Sequence, residues 1–275
     1  LFSYNNISYY VHRSKFLNNP RIAIGNFGTY TYKGRRTQNI SSSIGFDKHL
    51  TLRKLYGEYL ERFRIGINAS GGTVKTLNII DGTIKTRKRK DLSYGFNSTF
   101  GNVDTTGSAS GTKSSRIIEK ALSELIEKNE MFLMWYSKSG YILKLDESII
   151  DILNSYGLSQ KETVIFLSNQ LSNVFTIAVL IFKKNKIMSV GISLNKDEKQ
   201  GLILAIEEAI LLREQNLDEN VNVYNKMLSE KEYIDVYSMV NYFKTKFKYI
   251  FLEDLYKHNK IEVAPFIKNI EVCVL

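Results

Sequence analysis

Residues 104–132 read DTTGSASGTKSSRIIEKALSELIEKNEMF. The stretch opens as a loop of Gly, Ser and Thr and runs, without proline, into a strongly helical segment. Backbone N–H groups at a loop–helix junction of this kind often cradle anions. Glu124 and Glu127 follow one turn apart, and paired carboxylates are a common way of holding Mg²⁺. At 100° per residue, Ile117, Ile118, Ala121, Leu122 and Leu125 share one face. Glu124 borders that face and Glu127 lies beside it a turn further on, in a charged strip continued by Lys113, Arg116 and Lys120. The same pattern describes a solvated edge held by pairs such as Glu124 with Lys128, each worth roughly 0.2–0.5 kcal/mol. On helix pattern alone the solvated edge is favoured, because exposed ion pairs are common.

Two further helices carry charge in informative places. SSSIGFDKHLTLRKLYGEYLERFRIGI, residues 41–67, opens with capping residues and continues as a helix. Its apolar face holds Leu52, Leu55, Tyr56, Tyr59, Leu60 and Phe63, with Glu58 and Glu61 on the other side beside Arg62. Two helices with the same E-x-x-E spacing can converge on cations, since carboxylates brought together without one repel strongly. KDEKQGLILAIEEAILLREQN, residues 196–216, is apolar almost all round, so burial is expected. Arg213 falls within its Leu202, Ile206, Ala209, Ile210 face, and a buried guanidinium needs an anion. An internal glutamate and a phosphate both meet that need.

Around these helices lie strand signals. Residues 21–33 alternate and predict one or two strands with a Gly-containing break. Residues 72–86 predict a hairpin turning at Asp81-Gly82. Residues 163–168, 174–184 and 186–194 predict successive strands, with a hairpin turn over Lys183–Lys186. A fourth helix is expected over 230–246 and a short final strand in the tail. Strands alternating with helices give an α/β (α+β) class of mixed β-sheets packed with helices.

The 275 residues suffice for one large domain or two small ones. With 43% hydrophobic and 24% charged residues the chain is a folded globular protein, not a disordered one. The net charge of +10 favours acidic partners: nucleotide phosphates, nucleic acid, anionic lipid or an acidic peptide. Cys273 is the single cysteine, which excludes an intrachain disulfide framework and points to a reducing compartment, the cytoplasm. His12, His49 and His258 are scattered, so no zinc-site spacing is present. The longest apolar run, residues 174–182, is too short for a membrane span and predicts a buried strand. The chain begins at Leu1 rather than Met, consistent with an N-terminal truncation. The basic run KTRKRKD, residues 85–91, lacks interleaved aromatics, so nucleic-acid binding ranks last.

At this point the residues resemble a known family. Residues 104–136 are similar to the central signature of YcaO-type proteins, especially the microcin-type cyclodehydratases that build azoline rings in ribosomally made peptides. Their pattern runs D-x-x-G-x-A-x-G-N, then a helix with E-L-x-E-R-D, then an aromatic end. It aligns without a gap on Asp104, Gly107, Ala109, Gly111, Glu124, Leu125, Glu127, Trp135 and Tyr136. GEYLER, residues 57–62, resembles the family's first E-x-x-E-R helix. Gly191, Ala205, Glu208 and Arg213 resemble its later G…A…E…R block.

The resemblance implies a single YcaO-like domain over residues 1–275 that uses ATP and Mg²⁺. Glu58, Glu61, Glu124 and Glu127 would stand on the metal side. Arg213, Thr112 and Lys128 would stand on the phosphate side, and no catalytic residue is assigned. The implied chemistry is phosphorylation-driven activation of a peptide amide: a Cys, Ser or Thr side chain adds to the preceding carbonyl, and thiazoline or oxazoline results. Implied partners are a precursor peptide, a leader-peptide-binding partner protein and a flavin-dependent dehydrogenase. A thioamide-forming relative would use the same ATP site.

The sequence departs from the pattern at several positions. Ser43, Ile44 and Gly45 stand where the family has G-K-G, and Lys54 and Leu55 where it has Ser-Ala. Thr112 replaces an Asn, Arg116 a Glu, Lys128 an Arg and Leu211 a Gln. Arg116 cannot coordinate Mg²⁺. These changes keep open a second reading, a catalytically degenerate scaffold or peptide-binding subunit of a peptide-modifying synthetase.

Overall fold

A computed structural model describes residues 8–13, 20–28, 31–32, 35–36, 40–67, 72–92, 95–97, 101–103, 105–217, 228–255 and 258–273. In chain order the elements are β1 (Ser8–Arg13), β2 (Arg21–Asn26), β3 (Thr31–Tyr32), β4 (Arg35–Arg36), β5 (Ile40–Gly45), α1 (Lys48–Ile67), β6 (Thr73–Asn78) and β7 (Ile84–Lys88). Then come β8 (Gly95–Asn97), β9 (Gly101–Val103), α2 (Ser114–Ser137), β10 (Tyr141–Leu143), α3 (Glu147–Ser155), β11 (Thr163–Ser168), β12 (Thr176–Lys183) and β13 (Lys186–Leu194). The chain continues with α4 (Glu198–Leu217), α5 (Glu230–Lys246), β14 (Lys248–Ile250) and β15 (Glu271–Val272). Two compact units result: Leu1–Ser14, Asn19–Leu125 and Pro265–Leu275 form the first, Lys15–Asn18 and Ile126–Ala264 the second.

In the first unit, β1-β2-β5 and β15-β6-β7 form antiparallel sheets. The start of the predicted first helix is corrected here: residues 41–45 belong to β5. Ser41, Ser42 and Ser43 are buried there. Two of the hydroxyls are satisfied by α1, Ser41 Oγ donating to Leu55 O at 2.9 Å and Ser43 Oγ to Thr51 O at 2.6 Å. The helix begins instead after Asp47, whose Oδ1 accepts the Leu50 N–H at 2.7 Å and so caps its first turn. Leu55, Ile65, Ile22 and Ile44 fill the space between helix and sheet. The tail is tied down by Glu271, which accepts from Thr76 Oγ1 at 2.7 Å and from Arg87 Nε at 2.7 Å. Those bonds hold the Glu271 carboxyl far below the usual carboxylate range. Residues 85–88 of the basic run therefore lie in a strand, and part of its charge has an internal partner.

The second unit is built on a five-stranded sheet ordered β13-β12-β11-β10-β14, antiparallel except for the parallel β10–β14 pair. β11 and most of β12 are buried, because the sheet is covered on both faces. One face packs Phe166, Ala178 and Leu180 against Met134 of α2 and Phe243 of α5. Phe243 meets Phe166 and Trp135 edge-on, with ring centroids 5.6 and 5.2 Å apart. On the other face α4 lies over β13 and β12. Gly191 makes that approach possible: a Cβ there would sit 2.0 Å from Ala205 O and 2.3 Å from Ala209 N. The β12–β13 hairpin turns on Lys184 and Asn185, both at positive φ (49° and 65°). Such a two-residue turn matches the twist of the strands. The expected strands at 163–168 and 186–194 and the expected helix at 230–246 appear with those bounds. The helix α3 has no counterpart in the sequence reading.

Candidate functional site

In the first unit, Glu58 and Glu61 project from α1. Glu58 Oε1 accepts from Arg62 Nη2 at 2.5 Å, and its Oε2 lies 3.4 Å from the donating Ser42 N–H. Burial raises the Glu58 carboxyl above its ordinary range; Arg62 and the Ser42 N–H oppose the rise, and the charge of Glu61 adds to it. Glu58 thus feels the charge of Glu61. Glu61 is less solvated than its place on the helix suggested, its side chain only 10% exposed. Its Oε1 accepts from Ser108 Oγ at 2.7 Å and its Oε2 lies 3.4 Å from Lys120 Nζ. Ser110 Oγ donates to Gly57 O at 3.1 Å. The Gly/Ser/Thr loop is therefore fastened to α1 at two points beside these carboxylates. Gly107 takes φ +78°, a left-handed conformation that favours glycine. Asp104 lies outside the described residues. Thr112 and Arg116 are exposed, and Glu124 is half-buried on α2.

α2 contributes its later residues to the second unit. There Glu127 Oε2 accepts the Leu194 N–H at 3.0 Å, and Glu208 Oε2 accepts the Ile192 N–H at 2.5 Å. Lys128 Nζ stands 3.5 Å from Glu208 Oε1. β13 is an edge strand, and its N–H groups at 192 and 194 have no neighbouring strand to meet among the described residues. The carboxylates satisfy them. Glu127, Lys128 and Glu208 are thus assembled around the end of one strand. Glu208 had been matched to a motif without being given a site role, and only the fold reveals its partner. Arg213 is mostly covered, its side chain 22% exposed, and its guanidinium lies on Glu214 Oε1 at 3.0 and 3.2 Å. Its partner is the adjacent glutamate, one of the two anions the sequence left open.

A buried acid missed by the sequence is Glu130, on the same helix and fully buried. It accepts from Ser168 Oγ at 2.5 Å and from the Gln170 and Leu171 N–H groups at 2.7 Å each. It pins the chain after β11, and nothing in the local sequence separates it from the solvated glutamates around it.

Among the described residues no three His, Cys, Asp or Glu side chains converge as a ready metal cage. Mg²⁺ seldom uses one: it is usually bound by one or two carboxylates with water and substrate phosphates supplying the rest. Glu58 and Glu61, two mostly covered carboxylates one turn apart, fit that requirement. No helix among the described residues is long and apolar enough to cross a membrane.

No protein-family model and no curated protein matches the chain. Solved structures do. YcaO from Methanopyrus kandleri bound with AMPPCP and Mg²⁺ superposes with a TM-score of 0.70 at 10% identity, over 91% of this chain and 73% of that one. A chain of the E. coli microcin synthetase McbBCD complex with pro-MccB17 bound gives 0.65 at 14% identity, over 91% and 77%. A chain of another structure of the E. coli microcin synthetase McbBCD complex gives 0.59 at 13% identity, over 82% and 68%. At such identities the likeness speaks for architecture alone: this α+β chain has a YcaO-type fold.

Proposed function

We propose that the chain is an ATP-dependent cyclodehydratase that activates backbone amides of a ribosomal precursor peptide and so forms thiazoline or oxazoline rings. The observation that carries the reading is the Glu58–Glu61 pair, two poorly exposed carboxylates one turn apart on α1, with Glu61 bonded to Ser108 of the Gly/Ser/Thr loop. Its support from outside is the fold shared with a protein solved with AMPPCP and Mg²⁺ and with a peptide-bound microcin synthetase. Bound Mg²⁺-ATP would supply the phosphoryl group that turns an amide oxygen into a leaving group. Toward it, Glu58, Glu61, Glu124 and Glu127 would hold metal, and Arg213, Thr112 and Lys128 would meet phosphate. Lys120 is already beside Glu61 and would be displaced or would join the phosphate contacts. A precursor peptide, a leader-binding partner protein and a flavin-dependent dehydrogenase are the partners this chemistry calls for. Thioamidation would differ only in the nucleophile.

A second reading is favoured by specific contacts. Glu127 and Glu208 are engaged by the β13 backbone, Arg213 by Glu214, and a cation, Arg116, stands on the α2 strip. A scaffold or peptide-binding subunit that has lost ATP turnover would look like this. Calorimetry with Mg²⁺-ATP on wild type and on Glu61→Gln decides between them. Binding that falls at least tenfold in the variant supports the enzyme. A folded wild type that binds no Mg²⁺-ATP, with its partner protein present, refutes the enzyme and leaves the scaffold.

A further inference from the structure

α1 carries more apolar surface than its sheet covers. Leu55 is buried, and Leu52, Tyr59 and Phe63 are half-buried. Tyr56 and Leu60 continue the same apolar face but stay 53% and 37% exposed. Tyr56 is nonetheless braced. Its ring centroid lies 6.2 Å from that of Phe27 and 6.3 Å from that of Tyr59, and Phe27 and Tyr59 stack at 4.3 Å. An aromatic ring held on one side and open on the other is the usual anchor of a protein interface.

The charges around it are ordered too. At 100° per residue His49, Arg53, Tyr56, Leu60 and Arg64 fall in one strip about 80° wide, and all five are exposed. Tyr56 and Leu60 lie in its middle, between Arg53 and Arg64, which are separated by about 16 Å of helix. The ion pairs that α1 makes among the described residues are Arg62 with Glu58 and Lys120 with Glu61. Both of these acids lie outside the strip, so neither arginine has a carboxylate partner among the described residues. The strip is apolar at its centre, cationic at its ends and free of acid.

We propose that this strip docks an acidic amphipathic helix of a partner protein. Helices recognise such straight faces by laying apolar residues along them. The partner's carboxylates, three turns apart, meet Arg53 and Arg64, and its apolar residues between them cover Tyr56 and Leu60. A lipid surface fits less well. Two apolar side chains between two arginines cannot enter an acyl layer without drawing both guanidiniums toward it. The inference does not rest on the ATP reading, and its test needs no nucleotide.

The test uses the full chain and two fluorescein-labelled, alanine-based helical peptides of about 18 residues. Both carry a central pair of leucines one turn apart; one has glutamates at the flanking positions, the other lysines. Fluorescence anisotropy should show saturable binding of the glutamate peptide alone, with Kd on the order of 10–100 μM. Arg53→Glu with Arg64→Glu should weaken it at least tenfold, and Tyr56→Ala at least fivefold, each variant first checked for folding by circular dichroism. Lys88→Glu with Lys90→Glu, an equal change of charge on the exposed part of the basic run, should leave the affinity within about twofold. No saturation by about 1 mM protein, equal binding of the lysine peptide, or equal losses in the two double variants overturns the proposal. So does binding to phosphatidylglycerol vesicles that Arg53→Glu with Arg64→Glu abolishes, if the glutamate peptide does not bind; the strip would then be a membrane contact.

Discussion

Gly191→Ala should be among the most damaging single-methyl additions in this chain. The new Cβ would lie 2.0 Å from Ala205 O and 2.3 Å from Ala209 N, both backbone atoms of α4. No side-chain rotation relieves that. To reach even 3.0 Å, α4 must move away from β13 by about 1 Å. Leu202, Ile206 and Ile210 are fully buried beneath the helix. Burying each is worth about 1.5–3 kcal/mol, and a gap of 0.5–1 Å forfeits about a quarter to a half of close-contact attraction. With the strain of overpacking, the cost comes to about 3–5 kcal/mol, or about 10 °C in Tm for a unit of this size. Scanning calorimetry of Gly191→Ala beside Gly201→Ala makes the comparison. At Gly201 a Cβ would meet Asn195 Cβ at 3.4 Å and Ile177 Cδ1 at 3.5 Å, ordinary contacts, and the helix gains up to about 1 kcal/mol of propensity. A Gly191→Ala protein melting within about 2 °C of wild type would refute the packing argument.

Two further outcomes follow from buried acids. Glu130→Ala strips the acceptor from Ser168 Oγ and from the Gln170 and Leu171 N–H groups, and should cost about 4 kcal/mol in urea unfolding; a loss under about 1 kcal/mol would show that water replaces it freely. For Glu198 burial sets the sign, raising the folded value to about 7 against an ordinary 4.5. The folded state holds the proton more tightly, so the stability contributed by the neutral acid is full below about 4.5 and is lost as pH rises to about 7. Glu198→Gln, which keeps an acceptor for the Phe175 N–H, should therefore melt higher than wild type at pH 8, by at most about 3 kcal/mol. The advantage should vanish toward pH 4.5, and an advantage that does not change with pH would contradict the assigned cause.

The periodic parts of the fold were legible because periodicity is a local property. β11, β13 and α5 follow directly from apolar runs and caps, and the Lys184–Asn185 turn from the polar gap between two strands. The capping look of three serines points to a helix start at residues 41–45, yet they are strand residues, and two of their hydroxyls need α1 to be satisfied. α3 went unseen because nine residues give too short a pattern. At the site, spacing placed Glu58 with Glu61 and Glu124 with Glu127 on helices, yet gave their surroundings wrongly in part. The weight of helix statistics favoured solvent for Glu61. Its cover comes from Ser108, 47 residues away, and no local pattern encodes that.

The candidate metal residues also divide by what else they do. Glu127, like Glu208 beside it, which has no assigned metal role, holds an outward N–H group of an edge strand, so replacing it leaves a backbone donor unpaired and destabilises the unit whether or not ATP ever binds. Loss of activity in a Glu127 variant would say little about catalysis. Among the described residues Glu61 accepts from a serine hydroxyl and a lysine ammonium, the ammonium's side chain 61% exposed, and both can turn to water. Its glutamine variant keeps the shape and the serine bond and removes the charge that a metal nucleotide would need. Glu61, not the more conspicuous Glu127, is therefore the position at which nucleotide binding and folding can be separated, and the functional reading stands or falls there.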